Sequence, residues 1–112
     1  MLRQARRLAD QGRLQEARQL CEGHLRTQGP GAQVFYLLAM ISSAMGQGDR
    51  KEHYLRQALF LEPEHADALT MLACAAQQSG DLAAAQRYRG RLSRAGRPKP
   101  TPEHGRIGPG QP

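Results

Sequence analysis

The sequence predicts an all-α fold, a stack of three helix-turn-helix hairpins with a disordered C-terminal tail. Three observations predict it. Gly12, Gly46 and Gly80 recur 34 residues apart, and the same shift aligns Phe35 with Leu69, Leu38 with Leu72, Ala39 with Ala73 and Cys21 with Leu55. A fixed period of this length marks an array in which one supersecondary unit packs on the next. Apolar residues fall three and four apart on both sides of the glycine breaks, the spacing of one helix face. An apolar fraction of 39% with no Trp leaves only a thin core of Leu and Ala, as in arrays whose units pack on their neighbours alone.

The elements follow in order. The first repeat, about residues 1–29, holds helices over 2–11 and 14–27 around Gly12. Its opening helix is clipped, because Met1 falls at the register position of Phe35, and a piece of a longer protein is expected to look this way. The second repeat, 32–65, is the clearest: FYLLAMISSAMGQGDRKEHYLRQALFLEP. Helix 32–45 carries Phe35, Leu38 and Ile41 with small Ala39 and Ala44; helix 49–61 carries Tyr54, Leu55, Ala58, Leu59 and Leu61. Pro63 stops it and biases Glu62 toward an extended backbone. The third repeat, 66–95, holds helices 66–78 and 82–94, with Asp81 as N-cap candidate for the last. Ala39 and Ala73 let paired helices approach closely, and the large residues at 35, 38, 69 and 72 fill the gaps. The turn glycines supply positive φ. Four positions depart from the register. Lys51 stands where Ala17 and Ala85 stand, His24 and Leu92 where Ala58 stands, and Arg89 where Cys21 and Leu55 stand. A lysine stem can snorkel outward, and Arg89 makes the last hairpin look like a frayed end or a cap.

Composition narrows the function classes. Residues 1–79 hold nine Lys/Arg against eight Asp/Glu, and residues 80–112 hold seven against two. The basicity therefore belongs to the last helix and the tail. A nucleic-acid or anionic-membrane surface made of Arg87, Arg89, Arg91, Arg94, Arg97 and Lys99 is one alternative. Tyr88 alone interleaves these charges, short of the succession of aromatics that a single-strand platform would require, and a solvated helix face is the simpler reading. Residues 96–112 contain five of the seven prolines and read as a disordered tail. No run of 18 apolar residues suggests a membrane span, and the N-terminus has no signal-like apolar region. Two cysteines outside any CxxC pair suit a reducing, cytoplasmic setting.

No catalytic, cofactor-binding or metal-binding residues are expected. His24, His53, His65 and His104 lack metal-ligand spacing, and His65 reads as decoration of a surface turn. Cys21 reads as a buried inert thiol. The Gly46-Gln47-Gly48 run lacks the strand and spacing of a phosphate loop.

The 34-residue period, Phe35, Leu38, Ala39, Gly46, Leu55, Ala58 and Pro63 resemble the tetratricopeptide repeat. The resemblance implies a right-handed superhelical stack whose first helices line a groove for a protein partner. Carried over by register, the groove positions are Arg6 and Asp10, then Gln33, Tyr36, Leu37, Met40 and Ser43, then Asp67, Thr70, Cys74, Gln77 and Gln78. Leu37 can equally well pack against neighbouring helices. Met40, Thr70 and Cys74 replace the polar residues that a chaperone-tail clamp would need.

A closer resemblance lies in Tyr36–Ala39, Gly46, Leu55–His65 and Ala68–Ala73. These resemble the repeat region of bacterial chemotaxis-receptor methyltransferases of the CheR type. The resemblance implies a non-catalytic module of a signal-transduction enzyme that methylates receptor glutamates with S-adenosylmethionine. Its expected partners are the cytoplasmic region of a chemoreceptor, a signalling protein or its own catalytic domain. A free-standing adaptor or secretion chaperone of the same fold is the alternative.

Overall fold

The structure, a computed structural model, describes residues 2–95; the tail expected over 96–112 lies outside the described residues. Among the described residues there are six helices and no strand: α1 (Leu2–Asp10), α2 (Leu14–Gln28), α3 (Ala32–Ala44), α4 (Gly48–Leu61), α5 (Ala66–Gln78) and α6 (Leu82–Ala95). Each end lies within one residue of the position that the sequence predicts.

The hairpin turns are three copies of one motif. Gly12, Gly46 and Gly80 have φ of +81°, +75° and +85°. The residue after each glycine donates its N–H to a carbonyl five positions back: Arg13 to Leu8 at 2.9 Å, Gln47 to Ser42 at 2.8 Å and Asp81 to Ala76 at 2.9 Å. This is the Schellman closure of a helix end, which requires a left-handed residue. A Cβ on any of these glycines would meet nothing within 4 Å. The backbone conformation, rather than crowding, selects glycine there.

Packing is heaviest within the pairs α1–α2, α3–α4 and α5–α6, and lighter across α2–α3 and α4–α5, with α1 also touching α3. That pattern is a stack of hairpins. The alanines at one register position, Ala5, Ala39 and Ala73, are all buried, so the small side chain sets a close approach between helices in every unit. Two core clusters result. One centres on Cys21, Leu38 and Ile41, the other on Leu55, Leu69 and Leu72. Phe35 and Tyr54 pack against both, and their rings stack with centroids 6.2 Å apart. Lys51 is half-buried, yet α3–α4 is the most extensive pair. The departure from the register therefore does not loosen that hairpin.

The departure at Arg89 is resolved by the structure. Arg89 donates to the Gln77 side-chain oxygen, and nearby Arg91 donates to the Pro63 carbonyl at 3.0 Å. These bonds tie α6 to α5 and to the α4–α5 turn, so the last helix is a cap and not a frayed end. Where Leu55 and Leu59 meet the next hairpin, α6 presents exposed Arg89 and Ser93. A polar outer face is how a stacked array terminates. Asp81 accepts the Ala84 N–H at 3.1 Å as the expected cap.

The reading of His65 is corrected. It is buried, and its Nδ1 accepts the Ala68 N–H at 3.1 Å, so it is the N-cap of α5. One of the unpaired amides at the helix start is thereby satisfied.

Leu55 is fully buried; Leu55→Ala is expected to lower unfolding free energy by roughly 2–5 kcal/mol in denaturant titration. His24 is half-buried, and its Nδ1 is buried with no hydrogen-bond partner. His24→Ala restores the small residue of the register and removes that unpaired atom. Its melting temperature is expected to match or exceed that of the native chain.

Candidate functional site

α1, α3 and α5 are the first helices of the three hairpins, and the repeat places them in the same phase. Of the groove positions, Arg6, Asp10, Gln33, Ser43, Asp67, Thr70, Cys74, Gln77 and Gln78 are exposed, and Tyr36 and Met40 are half-buried. Leu37 is 2% exposed and belongs to the core, so of its two readings the packing one holds.

The electrostatics locate the centre of this surface. The Tyr36 phenol is pushed above its ordinary value, first by burial and then by the Asp67 carboxylate, while the Arg6 guanidinium pulls it the other way. The phenol on the middle first helix therefore feels one charge from each neighbouring first helix. The Tyr36 ring lies 5.2 Å from the His65 ring at an interplanar angle of 39°. His65 is fixed by its bond to Ala68, so the α5 cap also braces the central tyrosine. Histidine is a less usual cap than Ser, Thr, Asp or Asn. The available signal was its place immediately before the helix that starts at Ala66.

The other positions are engaged to different degrees. The Thr70 hydroxyl donates to the Ala66 carbonyl at 2.9 Å. Gln77 is drawn toward α6 by Arg89. Cys74 is exposed and Cys21 buried, both as free thiols. Burial, and secondarily Glu22, pushes the Cys21 thiol up to about 11. Among the described residues no three His, Cys, Asp or Glu side chains gather as metal ligands would.

The chain is similar to a segment of bacterial methyltransferases. One is the probable biofilm formation methyltransferase WspC of Pseudomonas aeruginosa, 46% identical over 88 residues, which cover 79% of this chain and 21% of that protein. Another is the protein of the same description from Pseudomonas putida, 42% identical over 91 residues, 81% of this chain and 22% of that protein. The chain thus spans about a fifth of the length of these relatives. No protein-family profile matches the chain, and no solved structure does.

Loss of the α5 cap in His65→Ala is expected to cost about 1 kcal/mol, with His65→Asn retaining most of it, as read by thermal unfolding. The cysteines give a second test. An unfolded thiol ionises near 9.0, whereas Cys21 in the fold keeps its proton to about 11. Its contribution is complete below pH 9 and is lost as pH rises through that window. The stability gap between the native chain and Cys21→Ala is expected to change between pH 9 and 11 and to stay flat at lower pH.

Proposed function

We propose that this chain is a non-catalytic, tetratricopeptide-type interaction module of a chemotaxis-type methyltransferase, and that it docks a protein through the surface centred on Tyr36. The observation that carries the reading is that half-buried Tyr36, on the middle first helix, lies 5.2 Å from the His65 ring and feels the charges of Arg6 and Asp67, one from each neighbouring first helix. The similarity to methyltransferases supports the parent enzyme class. Methyl transfer from S-adenosylmethionine to receptor glutamates is assigned to the rest of that parent. The module's part is to bring the enzyme to a chemoreceptor's cytoplasmic region, to a signalling partner, or against its own catalytic domain, in the bacterial cytoplasm. No helix among the described residues is long and apolar enough to cross a membrane. Arg89 and Arg91 are occupied in bonds within the stack, which weakens the alternative of a basic α6 surface for nucleic acid or lipid.

Calorimetry with a receptor cytoplasmic fragment, and separately with the catalytic part of the methyltransferase, tests the proposal. At least one is expected to bind. The double variant Tyr36→Ala/Met40→Ala is expected to lose about tenfold or more in affinity, as for removal of a central aromatic anchor. Absence of binding to both, or unchanged binding by a folded double variant, overturns it.

A further inference from the structure

We infer that the Tyr36 surface takes a short extended protein segment in which an acidic and a basic residue flank an apolar one, the acid on Arg6 and the base on Asp67. This rests on the docking role proposed above and gives its partner a chemistry. Arg6 and Asp67 are both exposed. Neither joins an ion pair or a side-chain hydrogen bond with another described residue. Between them, α3 (AQVFYLLAMISSA) carries no charge at all. It offers half-buried Tyr36 and, one turn on and on the same face, half-buried Met40. The surface therefore runs from cation through aromatic and thioether to anion across the stack. Asp10 does not cancel this order. It lies a turn beyond Arg6, in register with Ala44 rather than with Tyr36.

The register sets the length of the occupant. Asp67 aligns with Gln33, and Arg6 aligns with Met40, so the line from Asp67 through Tyr36 to Arg6 crosses the helices on a diagonal. Two interhelical steps of about 8–10 Å and about 10 Å of rise along the axes make about 20 Å. An extended chain covers that in about six residue steps. The pattern is then acid, two residues, apolar, two residues, base. A helical occupant would need about 13 residues for the same span. Complementary charge fixes register and orientation, while the central side chain gives the burial that holds the segment.

The test is an NMR titration, sensitive to millimolar affinities, with capped seven-residue peptides. The probes are Glu-Ser-Ser-Leu-Ser-Ser-Lys, the same residues in reverse order, and the Glu/Glu and Lys/Lys versions. One of the mixed-charge peptides is expected to bind about fivefold or more tighter than either like-charged peptide, the size of one exposed charge contact. Arg6→Glu is expected to shift preference toward the Lys/Lys peptide, and Asp67→Lys toward the Glu/Glu peptide. Both positions are exposed, and thermal unfolding confirms that the variants keep the fold. Equal binding of all four peptides, no binding of any, or no change of preference in the variants overturns the inference. The docking role stands or falls separately, on the calorimetry with folded partners and the Tyr36→Ala/Met40→Ala variant.

Discussion

A left-handed glycine every 34 residues is the constraint on which this architecture depends. Gly12, Gly46 and Gly80 each reverse the chain through the same backbone closure. Because the closure repeats, each hairpin leaves its turn with the same phase. Because the phase repeats, the buried alanines Ala5, Ala39 and Ala73 recur at one place in each pair, and the outward residues of the first helices recur on one surface. A common surface assembled from α1, α3 and α5 is thus a consequence of turn chemistry. Without the shared phase, Arg6, Tyr36 and Asp67 would not share a face.

The same repetition explains how the stack holds together with so little apolar material. Two clusters of Leu, Ile and Ala are joined by the Phe35–Tyr54 stack, so each hairpin relies on the next. At α6 the apolar face gives way to Arg89 and Ser93, and two arginine bonds turn that helix back onto its neighbours. At the opposite side of the third hairpin, His65 closes the start of α5 while touching Tyr36. That residue links the stability of the stack to the geometry of the surface.

How much of this was legible in the sequence depends on the range of each interaction. Turns and helix limits were legible because one residue type decides them: glycine where φ is positive, alanine where helices touch, proline where a helix stops. Leu37 shows where the register runs short. It falls among the groove positions by spacing, but its side chain is buried. The role of His65 is not legible in the sequence, because it needs an amide three residues ahead and a tyrosine from another hairpin. Arg91 was likewise readable only as surface charge, since its partner carbonyl at Pro63 lies 28 residues away. For the surface, the sequence supplied the candidate positions. Which charges act on Tyr36, namely those of Arg6 and Asp67, depends on how α1, α3 and α5 pack.

The central claim is that the first helices together form one protein-docking face. Hydrogen–deuterium exchange of the chain, alone and with the catalytic part of the proposed parent methyltransferase or a receptor cytoplasmic fragment, measures this most directly. The account predicts slowed exchange on α1, α3 and the start of α5, with α2, α4 and α6 unchanged. Protection confined to α2, α4 or α6 would contradict it.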